Sequence, residues 1–291
     1  MSIVVESTTT APWATGSTTF TQNKPTGTVD GDFLIAIVFT GHDNSGSAPT
    51  VTTAPTGWTL VNSVTQTDGI VYTYKKVASS EGASWDWTLS ASGVELFYAG
   101  CVFRLSGTNQ VDAFDDGSAV NDATPTFTTG VTPVGANGLL IMATVFTGVA
   151  TGGQSTSAYA VTTDNPTWTE LLDSNGGEGA GAAVHCSVAY AIRTAATATG
   201  DWTLTGTGSA TIDSVSQLLS LPAITNVTAS PAVVTMTLSV QAPTVTGGAL
   251  VTPAVITITA TIQAPTVTLE ASDWANTSKS STSTFANTSK S

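Results

Sequence analysis

The sequence GDFLIAIVFTG, residues 31–41, is the strongest indication of the architecture of this chain. Its apolar residues run almost without interruption from Phe33 to Phe39, which is typical of a central strand covered on both faces. A near copy, GLLIMATVFTG, occupies residues 138–148, an offset of 107 positions when the first glycines are matched. We therefore expect two related units, each built around one such strand.

The rest of the chain is also typical of β-structure. Short runs rich in Val, Ile, Thr, Phe and Trp alternate with clusters of Gly, Pro, Asn, Asp and Ser, and no window keeps a helical period. This pattern predicts an all-β fold of tandem β-sandwich units, jelly-roll-like or Ig-like, with a C-terminal β-repeat extension. One larger sandwich made from both halves is the alternative. We expect the first strand to be broken at Pro12.

Further motifs recur in the same order in both halves. A Trp-Thr pair that begins at Trp58 recurs at Trp168, and a Trp-Thr-Leu motif follows each copy later in the chain. The offset grows only across loops, as expected for a duplication with constrained strands and free loops. We therefore expect a first sandwich unit over residues 1–109 and a second over residues 110–224, with the matched tryptophans in their cores.

Charge and composition exclude several classes of function. The net charge is −13, and residues 1–224 hold 18 acids and 5 bases, so they carry all of it. An acidic body repels phosphate backbones, which disfavours nucleic-acid binding. Cys101 and Cys186 lie in apolar runs and are expected to be buried thiols. We expect no secretory signal and no membrane span, because no basic n-region and no apolar run of about 18 residues occurs.

Residues 225–291 differ in kind from the body and are expected to mediate attachment or oligomerisation. Residues 231–246 are repeated at 253–268 without a gap, and alternate positions form one apolar face. Two such strands cannot bury a sheet face alone, so they need a partner surface. A shorter repeat at the terminus opens on an aromatic residue each time. The expected assembly residues are Val234, Met236, Leu238, Val240, Ile256, Ile258, Ile262, Trp274 and Phe285.

No motif supports catalysis, and no cofactor is expected. A Gly-x-Ser-x-Gly elbow, a P-loop and a His-Glu-x-x-His zinc motif are all missing from the sequence. The acidic cluster around Asp112, Asp115 and Asp116 supplies candidate calcium ligands, but its spacing fits no EF-hand, and we expect a solvated loop that joins the two halves. His42 and His185 are expected to be surface or packed residues. A glycan depolymerase with paired catalytic carboxylates remains an alternative, because the separation of such carboxylates depends on the fold.

Two tryptophans have no counterpart in the other half. Trp13 and Trp85 are therefore the candidates for exposed contact with a glycan, since aromatic rings can stack on sugars. The alternative function that follows from them is a carbohydrate-binding host-attachment adhesin.

Three short motifs resemble a group of tailed-phage and prophage structural proteins. The motifs are Gly31-Asp32-Phe33-Leu34, Pro55-Thr56-Gly57-Trp58 and Tyr74-Lys75-Lys76-Val77-Ala78. They match a family pattern of Gly-Asp-Leu-Leu, Pro-x-Gly-Trp and Tyr-x-Lys-Val-Ala. The second half departs from this pattern, and the terminal Asn-Thr-Ser-Lys-Ser repeats also look like the ends of phage virion proteins.

The resemblance implies a non-enzymatic virion component built from β-sandwich domains. Its partners would be other virion proteins and copies of itself, and it would be made in the host cytoplasm. A capsid-surface decoration or head-fibre protein and a tail-fibre component are both open, and host glycans are a further possible partner.

Overall fold

The computed structural model describes residues 2–42, 47–66, 68–90, 96–109, 111, 113–119, 122, 124–128, 130–148, 155–179, 182–207 and 212–224. Within these residues the protein is all-β, without a helix. The first eight strands are β1 (Val4–Thr15), β2 (Thr19–Asn23), β3 (Phe33–Gly41), β4 (Val51–Thr53), β5 (Thr59–Gln66), β6 (Gly69–Val77), β7 (Ser84–Leu89) and β8 (Phe97–Ser106). The next eight are β9 (Ala113–Ala119), β10 (Thr126–Phe127), β11 (Gly138–Gly148), β12 (Ser155–Val161), β13 (Thr169–Gly179), β14 (Ala182–Arg193), β15 (Trp202–Thr207) and β16 (Ile212–Leu221).

The strands form four sheets, two from each half of the chain. The first large sheet has the order β1-β8-β3-β6-β5, and the first small sheet has the order β2-β7-β4. The second large sheet has the order β9-β16-β11-β14-β13, and the second small sheet has the order β10-β15-β12. Each strand of the second half therefore occupies the place of its counterpart in the first, which is the topology expected of a duplicated chain. Neighbouring strands are antiparallel.

Three apolar layers hold the sheets together. One lies between each small sheet and its large sheet, so each half is a β-sandwich. The third, which we call the central layer, lies between the two large sheets and takes buried side chains from both, among them Ile35, Phe103, Ile141 and Leu219. The described residues, up to Ile224, accordingly form one compact unit. The two halves are thus tandem sandwiches that stack through their large sheets.

Strand β3 is covered on both faces, as its unbroken apolar sequence predicts. All nine of its residues are buried. Ile35 and Ile37 face the central layer, whereas Leu34 and Ala36 face the first small sheet. Because successive side chains in a strand point to opposite faces, a strand with an apolar layer on each face has apolar residues at successive positions, as β3 has from Phe33 to Phe39.

The match of the two central strands at an offset of 107 is wrong by one residue. Phe33 faces the central layer, and so does Leu139, whereas Leu140 faces the second small sheet. The structural offset is therefore 106, since a slip of one residue would exchange the two faces of the strand. At this offset Gly31, with φ +94°, coincides with Asn137, with φ +62°. Gly and Asn both tolerate the left-handed conformation that the turn before the strand requires.

The central layer contains one buried polar contact that joins the two halves. Thr73 on β6 donates its hydroxyl to Oε1 of Gln217 on β16 at 2.6 Å, and Gln217 Nε2 donates to the carbonyl of Val71 at 3.0 Å. Both Thr73 and Gln217 are fully buried. A polar pair of this kind in an apolar layer is satisfied in one register only, so it selects how the large sheets stack.

Two further contacts tie the rims of the large sheets together. Asn62 on β5 donates to Asp116 on β9 at 2.7 Å, and the Trp13 amide on β1 donates to Ser174 Oγ on β13 at 3.2 Å. The pair β5–β9 is the counterpart of the pair β13–β1 under exchange of the two halves. Corresponding strand pairs therefore meet at the two rims when the halves are exchanged, as at the interface of a homodimer.

Two local expectations are corrected. The acidic segment between the halves is strand β9 at residues 113–119, at the edge of the second large sheet, and not a solvated loop. Strand β1 continues through Pro12, because β1 is an edge strand and its register shifts between Ala11 and Ala14. A bulge at a sheet edge is a place where proline costs no ladder hydrogen bond.

The Thr73–Gln217 contact should be measurable as a coupling energy. We expect Gln217→Leu and Thr73→Val each to lower the free energy of unfolding by about 1–3 kcal/mol, because each leaves a buried partner unsatisfied. The loss of unfolding free energy in the double variant should be smaller than the sum of the two single losses by about 1 kcal/mol, because both partners are then apolar. Urea denaturation measures all four proteins. Strict additivity would contradict the contact.

The central layer also predicts that neither half is stable as a monomer. A fragment of residues 1–109 exposes the inner face of its large sheet, so it should aggregate or pair with a second copy of itself. Co-expression with residues 110–224 should restore a one-to-one complex. Light scattering coupled to size exclusion gives the masses, and a folded, monomeric fragment 1–109 would show that the halves are independent.

Candidate functional site

The residues expected to mediate assembly, from Val234 to Phe285, lie outside the described residues. The candidate glycan and metal residues lie inside them, apart from Asp112. The structure therefore tests the exposure of the two tryptophans and the convergence of the aspartates, but not the assembly residues.

Trp85 is not an exposed ring. It is 6% exposed, packs edge-on against Trp58 with centroids 5.2 Å apart, and donates its Nε1–H to Glu81 at 2.8 Å. The expectation that it is a surface contact is wrong, because alternation along β7 points Trp85 and Trp87 towards the apolar layer of the first sandwich. It belongs to the fold.

Trp13 is half-buried at the rim of the central layer. Its ring contacts Phe39 and meets Phe97 edge-on, with centroids 6.4 Å apart. Its Cβ and Cγ also lie against the backbone of Gly176 on β13. Trp13 is therefore held between the two halves by packing, and it also lines a groove of 470 Å³ together with Pro12 and Tyr98.

The acidic cluster does not converge on a cation. Asp115 accepts from the Trp202 indole at 2.7 Å and from the Gly130 amide at 2.8 Å, on the face of β9 that meets the second small sheet. Asp116 points to the opposite face and accepts from Asn62. Consecutive strand residues face opposite ways, so the two carboxylates cannot share one ion. Both are structural acceptors.

The three motifs that resemble virion proteins meet at one end of the first sandwich. The Gly31 amide donates to the Ala78 carbonyl at 2.9 Å, and the Ala78 amide donates to the Asp32 carbonyl at 2.8 Å. Lys76 Nζ donates to the Thr56 carbonyl at 2.9 Å. The motifs are therefore joined by hydrogen bonds although they lie far apart in sequence.

Charged groups complete this end of the sandwich, which we call the motif cluster. Lys76 Nζ also pairs with Glu81 at 2.8 Å, and Asp32 pairs with Arg104 Nε at 2.7 Å. Burial raises the pKa of Glu81, but hydrogen bonds from Lys76, Ser79 and Trp85 outweigh it and leave that pKa below its ordinary value. These two ion pairs fix the loops of the motif cluster in position.

The second half differs at the corresponding place. Lys76 pairs with Leu34, and Ala191 pairs with Leu140, the counterpart of Leu34, so Ala191 stands where the lysine would be. Where the first half has the Lys76 side chain, the second half has a groove of 580 Å³. We call it the β14 groove, and its lining consists of Asp164, Asn165, Pro166, Thr167, Thr169, Tyr190, Ala191, Ile192, Arg193 and Thr194.

The floor of the β14 groove is rigid. Arg193 is 2% exposed and its guanidinium donates to the carbonyls of Thr163, Thr197 and Ala198. The Asn165 side-chain oxygen accepts from the Val161 amide at 3.1 Å and from the Trp168 indole at 3.0 Å. These bonds fix the loop that forms one wall. No signal in the sequence pointed to this groove, because its walls come from segments that the fold brings together.

A Thr-His-Asp constellation is buried in the second sandwich. His185 Nε2 lies 3.1 Å from Thr156 Oγ1 and 3.0 Å from Asp173 Oδ1, and Thr156 donates to Ser187 at 2.7 Å. Catalysis of the serine-protease type needs the acid and the hydroxyl on different ring nitrogens. Here both lie against the same nitrogen and His185 is fully buried, so the group cannot relay a proton to a substrate. His185 is confirmed as a packed residue.

The two cysteines are confirmed as buried free thiols. Cys101 and Cys186 are fully buried in the central layer, one from each half. Burial raises the pKa of both thiols, and for Cys186 the neighbouring Cys101 adds to the effect. Thiols of this kind stay protonated, so neither is a nucleophile.

The Asp173–His185 pair predicts opposite pH responses in two variants. Burial, with Glu170 nearby, raises the pKa of Asp173 from 3.8 to about 6, and burial lowers the pKa of His185 from 6.5 to about 4. Between about pH 4 and about pH 6, the folded pair holds its proton on Asp173, whereas the unfolded chain holds it on His185. Folding then takes up no net proton at the pair, so the pair adds no slope to stability across this window.

Removal of either partner should make the effect of the other on the pH dependence of stability visible. His185→Gln leaves a carboxyl with a raised pKa, so its contribution to stability is present below pH 3.8 and is lost as pH rises through about 6. Asp173→Asn leaves a histidine with a lowered pKa, so stability is present above pH 6.5 and is lost as pH falls through about 4. Urea denaturation from pH 4 to 7 measures both. Variants that follow the wild-type profile would refute the pairing.

The chain was compared with models of protein families, with curated protein sequences and with solved structures, and none of these comparisons found a match. The part of the chain that the structure describes includes no helix of the length and apolar character that a bilayer crossing requires. Over the same residues, no three His, Cys, Asp or Glu side chains come together as a metal-binding group.

Proposed function

We propose that this chain is a non-enzymatic structural component of a tailed-phage virion, which assembles through residues 225–291 with copies of itself and with other virion proteins. The acidic β-sandwich body would project outward from the particle. Both a head position, as capsid decoration or head fibre, and a tail-fibre position fit this proposal.

The observation that carries the proposal is the contrast between a complete body and an unmatched repeat. The three apolar layers of the body are built from residues 3–223, and each large sheet is covered on both faces. The body therefore needs no further strands to bury its core. The repeats at 231–246 and 253–268 have an apolar face of their own, and two strands are too few to bury it. A partner surface is what such a segment requires.

The charged groups of the body support a structural role. Four of its cations are held in place, since Lys76 pairs with Glu81, Arg104 pairs with Asp32, and Lys24 and Arg193 donate to backbone carbonyls. A surface in which the cations stabilise loops and the excess charge is acidic is unsuited to nucleic acid. It is suited to remaining dispersed while the terminus binds.

The motif cluster supports the same proposal. The residues that carry the resemblance to virion proteins form the hydrogen bonds that close one end of the first sandwich, at Gly31, Thr56 and Ala78. A sequence pattern whose residues have a folding role indicates a common architecture. It does not indicate a common active site.

Deletion of residues 225–291 tests the proposal. The full chain should form an oligomer by light scattering, and the deletion variant should be a monomer with an unchanged urea midpoint, because the core of the body is complete. Particles produced with the deletion variant should lack the protein in an electron-microscopy map.

A matched pair of variants tests whether oligomer formation depends on the apolar face of the repeats or only on the presence of the segment. Replacement of Val234, Met236, Ile256 and Ile258 by Ser should abolish oligomers, whereas replacement of Thr235, Thr237, Thr257 and Thr259 by Ser on the opposite face should preserve them. A full chain that is monomeric at every concentration, with unchanged incorporation of the deletion variant into particles, would contradict the proposal.

A further inference from the structure

The β14 groove is open where the same site in the first half is filled. In the first half, Lys76 crosses this region and its stem lies against Gly57, within 2.9 Å of where a Cβ would be. Its ammonium is fixed by Thr56 and Glu81. In the second half, Ala191 replaces the lysine and Thr167 occupies the place of Gly57. The duplication thus supplies an internal comparison of a filled and an open site.

The groove lies beside a free length of strand. Strand β13 pairs with β14 only as far as the Thr169–Tyr190 pair, while β14 continues to Arg193 and pairs there with β11 alone. The end of β14 and the loop that contains Asn165 form its two walls. Its volume of 580 Å³ lies within the range of about 300–1,000 Å³ that is usual for small-ligand sites.

The chemistry of the lining excludes an anionic ligand. The cation in the lining is Arg193, which is 2% exposed. Its guanidinium donates to backbone carbonyls, so none of its charge is presented to the groove. Asp164 has a side chain that is 57% exposed, and its carboxylate pairs with Arg193 Nη2 at 3.6 Å. The one cation of the lining is thus already held by Asp164 and by backbone carbonyls, so a phosphate, sulfate or sialic acid would find no free cation to pair with.

The same lining suits a neutral polyol. Thr167, Thr169 and Thr194 offer hydroxyls, Asp164 offers a carboxylate acceptor, and Asn165 offers an amide donor. A sugar hydroxyl both donates and accepts, so a mixed set of this kind satisfies it. The groove also has an apolar side, formed by Pro166, Tyr190 and Ile192, and Ile192 is 39% exposed.

The aromatic ring of the groove is fixed in position. Tyr190 is half-buried and meets Phe103 edge-on, with centroids 5.7 Å apart. A ring that is held by its own packing contacts the apolar face of a sugar at little cost in side-chain entropy. Trp85, by contrast, is buried in the first sandwich and presents no ring face to a ligand.

We propose that the β14 groove is a binding site for a neutral saccharide. The site is distinct from the tryptophans first considered for glycan contact, and it goes beyond the virion assignment without depending on it. An adhesive function would accordingly reside in the second sandwich alone, because Lys76 occupies the corresponding place in the first.

The test uses the full chain and a printed array of neutral oligosaccharides, with sialylated and sulfated glycans as anionic controls. A hit is followed by calorimetric titration. Ala191→Lys should close the groove as Lys76 does in the first half, and Thr167→Arg should block it from an exposed position that does not disturb the fold. Each should weaken binding about tenfold or more, because the added side chain occupies the volume of the ligand.

Ala83→Lys is the matched control, since it adds the same charge at an exposed alanine outside the groove, and its affinity should equal that of the wild type. Equal affinity in all four proteins would overturn the site, as would binding of the anionic glycans alone or of no neutral glycan at millimolar concentration. Self-association of the full chain is measured separately, so failure of the saccharide site and failure of the virion proposal are distinguishable.

Discussion

The stability of the body depends on the central layer, where the two large sheets bury one face each against the other. Ile35 and Phe103 from the first half and Ile141 and Leu219 from the second are fully buried in it. Each such side chain contributes about 1.5–3 kcal/mol when it leaves water. Neither large sheet has another cover for its inner face within the described residues, so each half completes the other. The chain is therefore a duplication whose two halves pack against each other as the subunits of a homodimer do.

Duplication explains both what the halves share and where they differ. Both keep the strand order, a buried tryptophan in the small sheet and a left-handed residue before the central strand. The outer apolar layers have diverged, since Tyr72, Tyr74 and Tyr98 of the first half correspond by register to Ser187, Ala189 and Ser214 of the second. The first sandwich is packed with aromatic rings and closed by the motif cluster. The second has the buried His185 constellation and the β14 groove.

Much of the fold follows from the sequence because it depends on local pattern. The unbroken apolar run of β3 predicted a strand covered on both faces, and the repeated motifs predicted two related sandwiches. The offset of the central strands could not be read from flanking glycines, because Asn137 rather than Gly138 takes the turn position of Gly31. Likewise, Asp115 and Asp116 looked like a cluster in sequence, but strand alternation separates them. The Gln217 contact and the β14 groove depend on packing between distant segments, which no local pattern records.

Hydrogen exchange of the native protein shows whether the two halves fold as one unit. If they do, the slowest amides of β3 and of β11 exchange with the same free energy, equal to that of global unfolding, because neither strand is exposed until the central layer separates. Slow amides in one central strand that open at a clearly lower free energy than those in the other would contradict it, since they would show that one sandwich unfolds while the other remains intact.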